Sequence, residues 1–334
     1  MEAFVIHRYA KDLEGASFTQ VAEPAVGPGE VLIQVEAVAL NPVDLKTLEG
    51  ESKLILPMRP PFIPGVDLAG KILLVGPQVT GFQVGDSVWS YCGLDRMGAF
   101  APLIALPADR VSLRPGSVDA PTAASLPLPA LCAWQALKAG AVKAGSRILI
   151  HGGGGGVGHL AIQMAARHGA EVFTTASPND LERVRNLGAQ HIVDFRSQRF
   201  EEHMADLDFV FDTVGGDVTR RSLVVLRRGG TLASLHLPSL EALASGGLRT
   251  PAPIKFLLPL MTFGIRRRAR RAGIDLSAQV TLPDASQLAE IRRWVEEGHL
   301  QTLVDRRFPF RELPEALRYL SNGKARGRVV VTLT

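Results

Sequence analysis

Cysteine is the scarcest informative residue. Two occur in 334, Cys92 and Cys132, far apart in sequence. That spacing excludes a disulfide framework and a structural zinc site built from paired cysteines. A reducing compartment fits, and the cytoplasm is the expected location. A signal peptide is not expected, because MEAFVIHRYAKD has no basic segment leading into a long apolar one. Long apolar runs are also missing. The most apolar stretch, FLLPLMTFGI (256–265), is too short to span a bilayer and contains a proline, so membrane insertion is not expected. Charge imbalance is small, at net +4, and does not by itself describe a nucleic-acid-binding chain. No internal repeat or low-complexity segment stands out beyond one glycine run. The composition that remains, 46% hydrophobic and 21% charged, is that of a globular enzyme, and the length suits two domains.

The first third reads as β. Val31, Ile33, Val35 and Ala37 alternate with Gln34 and Glu36, the pattern of a half-buried strand. Turn signals recur at PGE (28–30), NP (41–42), PG (64–65), VGP (75–77) and VGD (84–86). A β-rich domain over 1–120 follows. Residues 121–139 read as a helix with a proline-interrupted start. Strand and helix patterns then alternate: ILI (148–150), a helix over 157–168, EVFTT (171–175), a helix over 179–187, then strands at 191–195, 208–216, 230–235 and 278–282. That alternation predicts an α/β domain with a doubly wound parallel sheet over 121–282. Asp284 reads as a helix N-cap, with Leu288, Ile291 and Val295 on one face and Gly298 at the stop. The tail, 283–334, reads strand, short helix, strand. It is expected to rejoin the first domain and make it discontinuous.

Five glycines in a row, Gly152–Gly156, precede Gly158. Gly153, Gly155 and Gly158 satisfy G-x-G-x-x-G, with an apolar strand before and an amphipathic helix after. In that context glycine permits a sharp turn and close approach to a diphosphate, while backbone N–H groups around Gly156, Val157 and Gly158 face the anion. Gly152 and Gly154 lie outside the motif, and the pattern assigns them no role. An NAD site usually carries a carboxylate at the end of the second strand. Here stand Thr175, Ala176, Ser177, Pro178 and Asn179. Thr175, Ser177 and Asn179 could hydrogen-bond a 2′-phosphate and Arg183 could pair with it, so NADPH is the expected cofactor, with NADH possible. Asp180 and Glu182 would oppose that phosphate if they point inward.

GEVLIQVEAVALNPVD (29–44), IPGVDLAG (63–70), VTGFQVGDSVW (79–89), LPLPALCAWQAL (126–137), the glycine segment, RNLGAQHIVDF (185–195), FVFDTVGG (209–216) and SNGKARGRVVVTL (321–333) occur in order. Together they resemble the medium-chain dehydrogenase/reductase superfamily, in its zinc-independent quinone oxidoreductase branch. The resemblance covers nearly the whole chain and is weakest over 236–276. It implies a GroES-like catalytic domain plus a Rossmann domain, with NADPH in the cleft between them. It also implies hydride transfer to quinones or α,β-unsaturated carbonyls, and a homodimer. Zinc-dependent relatives carry Cys near Asn41 and Gly-His-Glu at Gly65-Val66-Asp67, so no zinc is expected. Without a metal, the developing oxyanion needs a hydrogen-bond donor. The resemblance points to Asn41 and Lys46, with Asp44 orienting their loop and Tyr91 lining the pocket. Asp67 is read as the cap of a local turn. Arg326 is placed near the cofactor.

Three positions depart from the family pattern. Cys132 stands where many relatives have a Thr that contacts the nicotinamide end. Phe195 stands for a Tyr that supports the adenosine phosphate, and Ala101-Pro102-Leu103 for Ala-Glu-Tyr. The basic hexad RRRARR (266–271) is read as a solvated helix face in preference to an anionic-surface patch or a lid. Two alternative functions stay open: an enoyl-thioester reductase, and a non-catalytic NADPH-binding sensor or RNA-associated protein. Nucleic acid is not an expected partner on the first reading.

Overall fold

The computed structural model describes every residue except 52, 57, 249 and 334. The chain divides into two compact units. One comprises Met1–Leu131, Gly246–Arg249 and Leu282–Thr334; the other comprises Cys132–Ser245 and Thr250–Thr281.

The first unit begins with an antiparallel pair, Glu2–Ile6 (β1) and Ala16–Gln20 (β2). The long strand Glu30–Leu40 (β3) follows. Its alternation is as read from sequence: Val31, Ile33 and Val35 are buried and Gln34 is exposed. A short helix, Pro42–Leu48 (α1), leads to Asp67–Val75 (β4), Ser87–Tyr91 (β5), Leu103–Pro107 (β6) and Val111–Leu113 (β7). Helices Ala120–Ala124 (α2) and Pro127–Ala139 (α3) come next. The prolines split the single helix expected over 121–139 into these two. The unit boundary falls inside α3, after Leu131 rather than after residue 120, because α2 packs on β3 and β4.

The second unit alternates Arg147–Ile150 (β8), Gly158–Arg167 (α4), Glu171–Ala176 (β9), Leu181–Asn186 (α5), His191–Asp194 (β10), Leu207–Asp212 (β11), Asp217–Val225 (α6) and Leu226–Ser234 (β12). Then come Leu240–Ser245 (α7), Ala252–Ala272 (α8) and Asp275–Ala278 (β13). The last strand thus lies earlier than the 278–282 expected. All six strands pair in parallel, in the order β10-β9-β8-β11-β12-β13. Numbered within the sheet this is 3-2-1-4-5-6, the doubly wound Rossmann order. Its core gathers Leu149, Phe173, Val210, Leu232 and Ile274. Order reverses between β8 and β11, and in doubly wound sheets ligands are taken up at such a point, outside the carboxyl ends of the strands.

The tail returns to the first unit. Ala285–Glu296 (α9) starts at Asp284, whose side chain accepts from Gln287 N–H at 2.9 Å. Val304–Pro309 (β14), Leu313–Ser321 (α10) and Arg328–Thr332 (β15) complete it. The sheet runs β14-β15-β3-β4-β5-β7, with β6 also on β3. Val329 and Val331 of β15 join Ile33, Val35, Leu68 and Phe100 in its core. The GroES-like unit is therefore discontinuous. Among the described residues, no helix is long and apolar enough to cross a membrane.

Candidate active site

In the second unit the glycine run makes the turn from β8 into α4. Gly152 has φ +66°, in the left-handed region that favours glycine. A Cβ on Gly153 would lie 2.2 Å from Thr174 Oγ1 and 2.8 Å from Ile162 Cδ1, and one on Gly158 would lie 2.2 Å from the Gly152 carbonyl oxygen. Gly153 and Gly158 thus let strand, turn and helix close on one another. Gly154 does more than the motif requires, since a Cβ there would meet the Asp180 carboxylate at 2.5 Å. The capping position of α4, Val157, offers no side-chain hydrogen bond to the first turn. A diphosphate suits those N–H groups, so the turn fits a dinucleotide.

The residues expected at a 2′-phosphate are placed differently from one another. Thr175 is buried, and its hydroxyl accepts the Gly152 N–H at 3.1 Å and lies 3.2 Å from His151 Nδ1. It therefore shapes the turn from within. Ser177 donates to Asp180 at 2.6 Å, while Arg183 donates to Asp180 at 2.5 Å and to the Gly154 carbonyl at 2.7 Å. Asp180 does point inward, held beside the glycine turn by an arginine and a serine. Asn179 is exposed. Cys132 is buried against Thr281, and burial pushes its thiol up to about 11. Phe195 is exposed under the Arg196 guanidinium.

Two further polar residues of this unit are buried: His151, expected from sequence only as a local hydrogen-bonding residue, and Asp212, to which the sequence assigned no role. His151 is buried between Thr175 and Ser222 Oγ, the latter at 2.9 Å, and burial lowers its pKa to about 4. Asp212 ends β11. It accepts from Val214 N–H, Gly215 N–H, Thr219 Oγ1 and Ser234 Oγ, and so fixes the 212–216 turn. His151 directly precedes the glycine run, and Asp212 lies in the quoted FVFDTVGG stretch. Neither signal specifies a partner.

In the first unit a buried polar network stands at the positions compared with the zinc ligands. Asn41 caps α1, and its N–H donates to Asp44 at 2.8 Å. The Asn41 amide donates to Asp67 at 2.9 Å and to the Ala39 carbonyl at 3.2 Å, and its oxygen accepts from Arg328 at 2.7 Å. Arg328 also reaches Asp67 at 3.3 Å, and Leu128 N–H donates to Asp67 at 2.8 Å. Burial pushes Asp67 up to about 7, against the pull of Arg328 and Asn41. Burial likewise pushes Asp44 up to about 8. Arg328 is pulled down by the same burial. Asp44 Oδ1 and Arg328 Nε have no hydrogen-bond partner among the described residues.

Asn41 is therefore not a free donor: both amide hydrogens and the oxygen are spent inside the network. Asp67 is not the cap of a local turn; it is the centre on which Asn41, Arg328 and Leu128 converge. Lys46 lies two residues beyond Asp44 on α1, roughly 200° around the helix, and is exposed. Tyr91 is buried opposite Asp67 in the β4–β5 register. Arg326 is exposed before β15. The buried cation of the network is Arg328, two residues beyond the expected Arg326. The available signal was a charged residue opening the apolar strand VVV, where burial demands a counter-charge.

The donor set does not fit zinc. Val66 offers no ligand atom, the Asn41 oxygen is taken by Arg328, and the Cys92 thiol is pushed up by burial. No group of three or more His, Cys, Asp or Glu suited to a metal occurs among the described residues.

Similarity to known proteins is distributed over the chain. The alcohol dehydrogenase GroES-like domain family matches residues 27–116, and the zinc-binding dehydrogenase family matches residues 187–331. The mitochondrial NAD(P)H oxidoreductase RTN4IP1 of Danio rerio is 31% identical, covering 100% of this chain and 91% of that protein. The chloroplastic NADPH-dependent alkenal/one oxidoreductase of Arabidopsis thaliana is 31% identical over 94% of this chain and 74% of its own length. The solved structure of the quinone oxidoreductase from Coxiella burnetii superposes with a TM-score of 0.85 at 28% identity, covering 100% of this chain and 99% of that one.

Proposed function

The chain belongs to the medium-chain dehydrogenase/reductase superfamily, and from that premise we propose that it reduces quinones or α,β-unsaturated carbonyls with NADPH and without a metal. The observation that carries this reading is the buried Asn41–Asp67–Arg328 network. It fills the positions of a zinc set with groups hydrogen-bonded to one another. In a zinc-dependent site a Lewis acid stabilises the alkoxide of a simple alcohol, and this network offers no group free to replace it. A quinone or enone needs none, because hydride can be accepted at a carbon conjugated to the carbonyl.

The reduced nicotinamide supplies the hydride when it is bound. The chain's own residues do the rest. Gly153, Gly155 and Gly158 bring backbone to the diphosphate, and Gly156 and Val157 lead into the uncapped start of α4. Arg183, bridging Asp180 and the Gly154 carbonyl, is the cation we assign to the 2′-phosphate. Lys46 is the donor we assign to the substrate oxygen: Asn41 has no hydrogen left to give, whereas the exposed Lys46 ammonium does. Its charge counts most as negative charge develops on that oxygen. Asp44 and Asp67 hold the start of α1, and through it Lys46, in place.

The deciding experiment follows NADPH and NADH oxidation in parallel across 1,4-quinones, enones, enoyl thioesters and simple aldehydes. Turnover confined to the conjugated acceptors and unchanged by a chelator is expected. Tight NADPH binding with no turnover on any acceptor would sink the enzyme reading, and chelator-sensitive alcohol oxidation would sink the metal-free one.

A further inference from the structure

Helix α8 has an outer face that the proposed reaction does not use. Its inward stripe is Leu258, Thr262 and Ala269, with Ile265 partly buried in the same core. On the opposite side Phe256 is 79% exposed, Leu260 72% and Phe263 62%. The spacing 256, 260, 263, 267, 270 is one helical stripe. Its first half is therefore apolar and solvent-facing, and its second half is arginine. Met261 and Leu257, at 75% and 54% exposure, widen the apolar half. Across its 21 residues α8 carries Lys255 and five arginines and no Asp or Glu. Arg228, beside the Gly273 that ends the helix, adds a further cation.

We infer that the outer face of α8 is a docking surface for an anionic lipid bilayer, with the helix lying in the membrane plane rather than crossing it. Three large apolar side chains in two turns of helix match the shallow insertion of an interfacial helix, and the adjoining arginines match its headgroups. One lipid surface satisfies both halves together, since anionic headgroups overlie an apolar layer. A second copy docking α8 against α8 fits worse, because the helix holds no carboxylate to meet its counterpart's arginines. The inference is independent of the proposed reaction.

Vesicle co-sedimentation of the whole chain tests it. Phosphatidylcholine vesicles are compared with vesicles holding about one-third phosphatidylserine, at about 0.15 M and about 1 M salt. Binding to the anionic vesicles at the lower salt alone is expected. Each headgroup-facing arginine contributes roughly fivefold to partitioning. The triple variant Arg267→Glu/Arg270→Glu/Arg271→Glu should therefore lose about a hundredfold or more. Phe256→Ser/Leu260→Ser/Phe263→Ser should lose at least about tenfold. All six positions are exposed, and melting curves verify folding. Leu260→Trp gives a second readout: relative to the unsubstituted chain, its added emission shifts to the blue on anionic vesicles. Equal sedimentation with both lipids, or no such shift in the Leu260→Trp variant, overturns the inference. So does a dimer that the serine variant converts to monomer, which would assign the face to self-association.

Discussion

Arg328→Met probes the buried network most directly. Arg328 is 6% exposed and donates to Asn41 and to Asp67, itself fully buried. Truncating one partner of such a pair leaves the other charge uncompensated and costs about 3–5 kcal/mol. That is a large part of a typical folding free energy of roughly 5–15 kcal/mol. The cost also depends on pH, with a sign that can be worked out. Burial already holds the Asp67 carboxyl at about 7, so the folded chain keeps a proton that the unfolded chain releases near its ordinary value. Stability from this group therefore falls as pH rises from about 4 to about 7, then levels. Without Arg328 nothing comparable pulls the carboxyl down, so it titrates higher and the fall continues above pH 7. The slope there is at most ~1.4 kcal/mol per pH unit. Denaturant melts at about pH 6 and about pH 8.5 should show the larger deficit at the higher pH. Adding Asp67→Asn to Arg328→Met should recover about half the loss or more, because the stranded charge is gone. A deficit under about 1 kcal/mol at both pH values, or one equal at both, would refute the reasoning.

Gly158→Ala should abolish dinucleotide binding, measured by fluorescence titration, because the new methyl meets a backbone carbonyl that cannot give way. Arg183→Ala should weaken NADPH more than NADH, whereas Asp180→Ala should raise the NADPH:NADH ratio of kcat/KM; equal effects on both cofactors would remove the pair from the phosphate site. Lys46→Met should lower kcat by about 100-fold with the NADPH dissociation constant unchanged, and Lys46→Arg should restore part of it. Cys92 and Cys132 are buried with thiols pushed up, Cys132 to about 11. Neither should react with a thiol reagent at about pH 8 until the chain unfolds.

Much of the fold is legible in order and type because it rests on local periodicity. The buried β8, the glycine turn and amphipathic α4 announce themselves within about twenty residues. The Asp284 cap and the Gly298 stop of α9 do the same. Errors gather where local signals are weak. Proline divided one expected helix into α2 and α3, and β13 begins three residues early.

The site divides along the same line. The tight turn at Gly153, Gly155 and Gly158 is readable because its geometry depends on immediate neighbours in the chain. The Asn41–Asp67–Arg328 network is not, since its members lie on β3–α1, β4 and β15, and the longest link joins residues 287 apart. Sequence could say that Asn41, Asp44 and Asp67 are polar residues among apolar ones. Only the sheet pairing of β15 with β3 and β3 with β4 brings Arg328 to them and spends the Asn41 amide inward. Likewise Asp180 was readable as a carboxylate near the cofactor, but which way it pointed was set by Arg183 and Ser177 in space. Short-range patterning set the strand, glycine turn and helix, and long-range packing decided which polar groups are spent in the buried network.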